Sequence, residues 1–197
     1  MASAAILVGG RATRYGGLDK SALVVDGRPI LTRQLSELAT VADDILLVGG
    51  PPRVCNVAVC RWVADRVPDT GPLSGLSTAL EFARSDVLVL LACDMPFVTA
   101  AFLKYLLDLT DAADLVIPRT RRGYHPLCAA YTRRCEPVVR RRLQEGRLAL
   151  TGLLDELRVW PVETGDLERF GDADRLLTNV NTPTDFSELE ASLGHKL

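Results

Sequence analysis

The sequence predicts a three-layer α/β/α domain built on a mostly parallel sheet. Two observations carry this reading. Short, continuous apolar runs alternate with stretches of helical apolar spacing along most of the 197 residues, as in chains that wind helices over both faces of a buried sheet. The first two apolar runs also each end in a pair of glycines, as strands do when their carboxyl ends open onto a ligand crevice.

Taken in order, Ala4–Val8 is a buried strand running into Gly9-Gly10. Ile30–Leu38 places Ile30, Leu31, Leu35 and Leu38 at helical spacing, and Ile45–Val48 is a second strand, closed by Gly49-Gly50 and two prolines. Leu73–Phe82 is helical after a Gly-Pro turn, and Val87–Ala92 is the clearest buried strand of the chain. Thr99 is placed to cap a helix carrying Phe102, Leu103, Leu106 and Leu107 on one face. Leu115–Ile117 and Leu127–Tyr131 follow as strands, and Glu136–Gln144 as a helix whose Arg140–Arg142 read as a solvated face. Val159–Val162 is an edge strand, as Pro161 requires. Thr182-Pro183 opens the last helix. No repeat or linker divides the chain, so residues 1–197 read as a single domain.

Composition narrows the function classes. A net charge of −2 and a pI near 5.7 give no reason to expect nucleic acid as a partner. The longest apolar runs fall far short of the ~20 residues that cross a bilayer, and the first residues lack the basic and apolar regions of a leader. A soluble, cytoplasmic protein is expected, with no membrane partner. Five cysteines without CxxC spacing indicate neither a disulfide framework nor a zinc site.

The chemistry is concentrated in the loop after the first strand. Residues 7–20 contain four glycines, which leave backbone N–H groups accessible to an anion. Arg11, Arg14 and Lys20 add positive charge, and Lys20 stands out because the chain has twenty arginines and three lysines. Lysine offers a compact point charge suited to one phosphate oxygen. A Walker A loop is excluded, since Asp19 precedes Lys20 and no Gly-Lys-Ser/Thr is present, and so is the Gly-x-Gly-x-x-Gly spacing.

Leu7-Val8-Gly9-Gly10 followed by Arg14-Tyr15-Gly16-Gly17-x-Asp19-Lys20 resembles the opening signature of the molybdenum cofactor guanylyltransferases. Later segments match the same family in order. They are Asp65 with Gly71-Pro72-Leu73-Ser74-Gly75, then Cys93-Asp94-Met95-Pro96, His125-Pro126-Leu127 and Asn179-Val180-Asn181-Thr182-Pro183. The resemblance spans about residues 4–186. Val8 and Tyr15 replace the family's usual Ala and Met, and Gly49-Gly50 stand where an Asn lies near the nucleotide.

The resemblance implies a Rossmann-like sheet of the nucleotide-diphospho-sugar transferase type and a Mg2+-dependent transfer of GMP from GTP to the terminal phosphate of Mo-molybdopterin. The products would be molybdopterin guanine dinucleotide and pyrophosphate. It assigns catalytic roles to Arg14, Lys20 and Asp94, the metal to Asp94, and nucleotide contacts to Leu7, Val8, Gly9, Gly10, Lys20, Asp65 and Asp94. Arg121, Arg122, His125, Asn179 and Asn181 fall to the pterin end. Transient contact with proteins that deliver or receive the cofactor is compatible with this role.

Read from the residues alone, several alternatives stay open. Asp94 suits a hard cation, which takes one or two carboxylates plus phosphates and waters, and equally a strand-end turn. Asp69 competes with Asp65 for the nucleotide, and Arg119, Arg121 and Arg122 fit either a phosphate grip or a basic surface loop. Asn179 and Asn181 also suit ordinary turn chemistry before a capped helix. A related transferase using CTP or another acceptor, and a non-catalytic nucleotide-binding protein on the same fold, remain as rival functions.

Overall fold

The computed structural model describes residues 2–9, 23–52, 57–68 and 70–180. One sheet of eight strands organises them. β1 (Ser3–Leu7) lies in its interior, flanked by β4 (Asp44–Val48) and β6 (Val87–Ala92), both parallel to it. β5 (Cys60–Val63) extends the parallel set beyond β4. On the other side β9 (Cys128–Thr132) runs antiparallel to β6 and to β7 (Leu115–Thr120). β10 (Val159–Val162) closes that edge parallel to β7, and β8 (Gly123–Tyr124) hairpins onto the end of β7. A separate ribbon, β2 (Val24–Val25) with β3 (Arg28–Pro29), leads into the first helix.

Alternation of side chains along the strands builds two cores. Ala4, Ile6, Ile45, Leu47, Val89 and Leu91 face α1 (Ile30–Leu38) and α3 (Ala100–Asp108). Ala5, Leu46, Val48, Leu88 and Leu90 face α2 (Pro72–Phe82) and α4 (Glu136–Gln144). Because both faces are covered, the central strands are largely apolar rather than alternating polar and apolar. This is the expected three-layer domain, and among the described residues no helix is long and apolar enough to cross a membrane.

The helix ends follow local chemistry. Pro72 sits in the first turn of α2, entered through Gly71 at φ 85°. Thr99 accepts the Phe102 N–H at 3.4 Å, as its N-cap role requires. α2 lies close against β1, since a Cβ on Gly75 would fall 2.8 Å from Leu7 Cδ2.

Three features differ from the sequence reading. β5 was not anticipated, because Arg61 interrupts its apolar residues and the strand is mostly half-buried. The β2–β3 ribbon is too short to carry a periodicity. Arg140–Arg142 are not uniformly solvated: Arg142 is buried, donates to Glu156 at 2.6 Å and to the Gly152 and Ala149 carbonyls, and clips α4 to the following 3-10 turn. A buried guanidinium is tolerable here because an acid and two carbonyls meet it. The expected helix at Thr182-Pro183 lies outside the described residues.

Candidate active site

The parallel strands bring the candidate residues to one edge of the sheet. Across that edge stand Asp65 after β5, Gly49 after β4, Gly9 after β1, Asp94 after β6, His125 before the antiparallel β9, and Arg121 after β7. β1 is also where strand order reverses, the chain passing to β4 and β5 on one side and returning to β6 on the other. Crevices at carboxyl ends beside such a reversal are where ligands bind in these sheets.

Asp94 is the central acid. It is 9% exposed and sits in the turn that leaves β6. The Asn179 amide donates to its Oδ1 at 3.1 Å, and the Val180 N–H donates to its main-chain carbonyl at 2.8 Å. Asn179 is therefore brought against the central carboxylate itself. Gln34, from α1, reaches the same turn and donates to the Ala92 carbonyl at 2.7 Å and the Met95 carbonyl at 3.1 Å. Val180 also packs with Val25 and Ile30, flanked by Leu23 and Phe97. This small cluster ties the ribbon that follows the glycine-rich loop to the Asp94 turn.

Asp65 is held against α2. Its Oδ1 accepts from the Val67 N–H at 3.2 Å, from the Thr78 hydroxyl at 3.3 Å and from the Ser74 hydroxyl. Ser74 and Thr78 are fully buried, so α2 fixes the carboxylate rather than leaving it in a solvated loop. Its competitor Asp69 lies outside the described residues. The Asp65 Cβ lies 3.9 Å from where a Cβ on Gly49 would sit, which places it beside the β1 and β4 strand ends.

Those strand ends pack backbone on backbone. A Cβ on Gly9 would lie 2.9 Å from the Gly50 nitrogen and 3.3 Å from the Gly49 Cα. Gly49 and Gly50 both have positive φ, 81° and 61°, and the Trp62 indole N–H latches the Gly49 carbonyl at 3.0 Å. Side chains at either position would be strained, so this strand end presents main chain alone. Because the contacts to Gly9 are main chain and cannot swing aside, Gly9→Ala is expected to weaken the binding of a ligand at this strand end at least tenfold. It should also lower Tm by about 5 °C, the cost of ~1–3 kcal/mol of overpacking in a domain this size. Calorimetric titration and a thermal melt measure both.

On the far side of Asp94, β7 and β9 carry the remaining candidates. His125 is half-buried, its N–H donates to the Pro118 carbonyl at 3.0 Å, and its Nε2 lies 2.9 Å from the Thr120 hydroxyl. Burial and the Arg122 charge push its pKa below the ordinary value, against a smaller upward pull from Asp174. It is therefore neutral near pH 7 and suited to hydrogen bonding. Arg119 is committed to Glu163 at 2.8 Å and lies over the Tyr124 ring. Arg121 and Arg122 are exposed, and Arg121 lines a cleft of about 250 Å³ with Thr120, Thr164, Glu168, Asp172 and Asp174. These carboxylates temper the arginine charge on this side. Gly10, Arg14, Lys20 and Asn181 lie outside the described residues.

With this edge described, its relatives become informative. Residues 4–159 match the family described as the MobA-like NTP transferase domain. The chain belongs to the MobA-like NTP transferase family. The molybdenum cofactor guanylyltransferase of Desulfosudis oleivorans is 32% identical, with 95% of this chain and 94% of that protein aligned. The probable molybdenum cofactor guanylyltransferase of Pelotomaculum thermopropionicum is 29% identical, over 93% and 89%. Among solved structures, the molybdopterin-guanine dinucleotide biosynthesis protein A of Archaeoglobus fulgidus superposes with a TM-score of 0.78. It covers 98% of this chain and 99% of that one at 22% identity. The 2-C-methyl-D-erythritol 4-phosphate cytidylyltransferase of Thermus thermophilus shares the fold, with a TM-score of 0.70 at 15% identity over 98% and 100%.

Against this MobA-like background, the Gly49-Gly50 departure gains a physical reason: both residues have positive φ, and a Cβ on either would sit tightly against Gly9 or Val8, at 3.3 and 3.1 Å. Gln34 is the site residue that the motifs missed. A signal existed, since it is polar at the centre of the apolar stripe Ile30, Leu31, Leu35, Leu38.

Proposed function

We propose that this nucleotidyltransferase moves GMP from GTP to the terminal phosphate of Mo-molybdopterin, giving molybdopterin guanine dinucleotide and pyrophosphate. The observation that carries the reading is a buried carboxylate, Asp94, standing between a glycine-walled strand end and a second, arginine-bearing cleft at one sheet edge. Two anionic substrates can meet there from opposite sides. The nucleotide lies over Leu7–Gly10 and Asp65, and the pterin toward Arg121, Arg122, His125 and Asn179.

The attacking phosphate monoester is already anionic near neutral pH, so the reaction needs no strong base. It attacks the α-phosphorus of GTP as the bond to pyrophosphate breaks. Positioning and charge neutralisation then supply the catalysis. Leu7–Gly10 offer backbone groups to the nucleotide, while Arg14 and Lys20 meet the charge gathering on pyrophosphate. Asp94, oriented by Asn179, suits Mg2+, which when bound neutralises phosphate oxygens. Among the described residues no three His, Cys, Asp or Glu side chains are grouped so that they could hold a metal ion. A single carboxylate fits a cation that arrives with the triphosphate better than one held in a protein cage.

Pyrophosphate release tests the proposal. GTP with Mo-molybdopterin and Mg2+ should release it, and ATP, CTP and UTP should fall at least tenfold behind. Preference for CTP would move the protein to a sibling transferase. No release with any triphosphate would overturn an enzymatic role.

A further inference from the structure

Gln34 lies on the buried face of α1 and is 2% exposed. Its Nε2 donates to two carbonyls, Ala92 at 2.7 Å and Met95 at 3.1 Å. Both partners are acceptors, so the nitrogen must face them and the amide orientation is fixed. These carbonyls bracket Cys93-Asp94, and the Ala92 N–H is already occupied by the Leu127 carbonyl at 2.8 Å. One rigid amide thus spans the turn and sets its width. Its own Oε1 is buried without a hydrogen-bond partner among the described residues. A side chain selected only to fill this core would avoid that orphaned oxygen. What the amide adds is the geometry of the turn.

Further ties reach the same turn from the segment at residues 179–180. Val180 holds the Asp94 carbonyl and Asn179 the Asp94 carboxylate. Without Gln34 the two carbonyls that bracket the turn would lose this donor. We propose that Gln34 is a positioning residue which fixes the Asp94 turn, and so the Asp94 carboxylate, for binding the nucleotide-borne cation. This rests on Asp94 being the residue that holds the metal. Supporting groups one step removed from a metal commonly change its affinity by about 10–100-fold.

The test titrates Mn2+ into the GTP-bound protein and reads free Mn2+ by electron paramagnetic resonance. It compares the unsubstituted chain with Gln34→Met, Gln34→Asn and Asp94→Ala. Gln34→Met keeps the length and removes both hydrogen bonds. It is expected to melt cooperatively, to bind metal-free GTP within twofold of the parent, and to weaken Mn2+ at least tenfold. The Mg2+ needed for half-maximal pyrophosphate release should rise in parallel, with kcat largely recovered at saturating Mg2+. If the Met variant fails to fold, Gln34→Asn must show the same weakening, because its shorter amide cannot span both carbonyls. Unchanged Mn2+ affinity at position 34, alongside a loss in Asp94→Ala, would overturn the positioning role alone. Unchanged affinity in Asp94→Ala would overturn the metal assignment and this inference with it. Loss of a cooperative melt in both Gln34 variants would assign the amide to stability and also overturn it.

Discussion

Asp94→Ala is expected to lose pyrophosphate release by about 10^3-fold or more while melting within a few degrees of the parent. The size follows from the reaction. Loss of one preorganised electrostatic contact to a developing charge typically costs 10^2–10^3 in rate, and a carboxylate that also holds the cation removes more than one such contact. The structure explains why the fold should survive. The hydrogen bonds from Gln34 and Val180 in this turn all end on main-chain carbonyls, at Ala92, Met95 and Asp94 itself. The Asn179 bond, by contrast, ends on the Asp94 side chain. Removing a carboxylate that is 9% exposed also relieves its desolvation cost. Asp94→Asn, which keeps the shape and loses the charge, should be nearly as inactive. Near-normal Mg2+-dependent turnover in either variant would remove Asp94 from the mechanism.

How much of this was legible in the sequence depended on which residues carried the pattern. The bounds of Ile30–Leu38, Val87–Ala92, Glu136–Gln144 and Val159–Val162 agree between sequence and structure. Each has either a continuous apolar run, a helical stripe, or a proline that confines it to an edge. Cys60–Val63 escaped because Arg61 turns toward Asp44 at the strand's amino end and breaks the run. The Val87–Ala92 run placed Asp94 at a strand's carboxyl end, whereas Asp65 was reached only through the resemblance, because β5 before it carried no legible pattern. The motifs could not reveal that Asn179 contacts Asp94, a pairing 85 residues apart. Nor could they show that Gly49 and Gly50 lie tight against Gly9 and Val8, since those contacts exist only once β1 and β4 are in register. Buried polar residues, such as Gln34 and Arg142, were the least legible. Only their place within an apolar stripe marked them.

The second large effect belongs to the opposite end of the sheet. Asp44 is 2% exposed at the start of β4. Its carboxylate accepts from the Ser3 hydroxyl at 2.9 Å, the Arg84 N–H at 3.0 Å and the Arg61 guanidinium at 3.0 Å. The Ser3 hydroxyl in turn accepts the Arg84 and Ser85 N–H groups at 3.1 Å. One acid therefore joins β1, β4, β5 and the segment entering β6. Asp44→Ala strands a half-buried guanidinium and buried donors, which costs roughly 3–5 kcal/mol. In a domain of this length that is about 10 °C in Tm. GTP affinity at 15 °C should be unchanged, because a five-residue strand separates Asp44 from the crevice by ~17 Å. A loss of GTP affinity equal to that of Gly9→Ala would show the two ends to be coupled.

The same network fixes the acid response. Burial alone would raise the Asp44 pKa, but hydrogen bonds from Arg61, the Arg84 N–H and Ser3, with the Arg61 charge, bring it below the ordinary value. A depressed carboxylate gives stability that is complete above its unfolded pKa of ~3.9 and is lost as pH falls through the folded value. The Tm gap between the parent and Asp44→Asn should therefore be widest above about pH 5 and should close toward pH 3. His125 acts in the same direction in a separate window. Held neutral by burial and by Arg122, it contributes above its unfolded pKa of ~6.5 and loses that contribution as pH falls below it. His125→Gln should flatten the melting profile between about pH 5 and 7 and leave the acid limb to Asp44. A Tm gap for Asp44→Asn that stays constant down to pH 3 would mean that the carboxylate titrates alike in the folded and unfolded chain, and a parent that gains on the variant as pH falls would mean a neutral acid at the centre of the network.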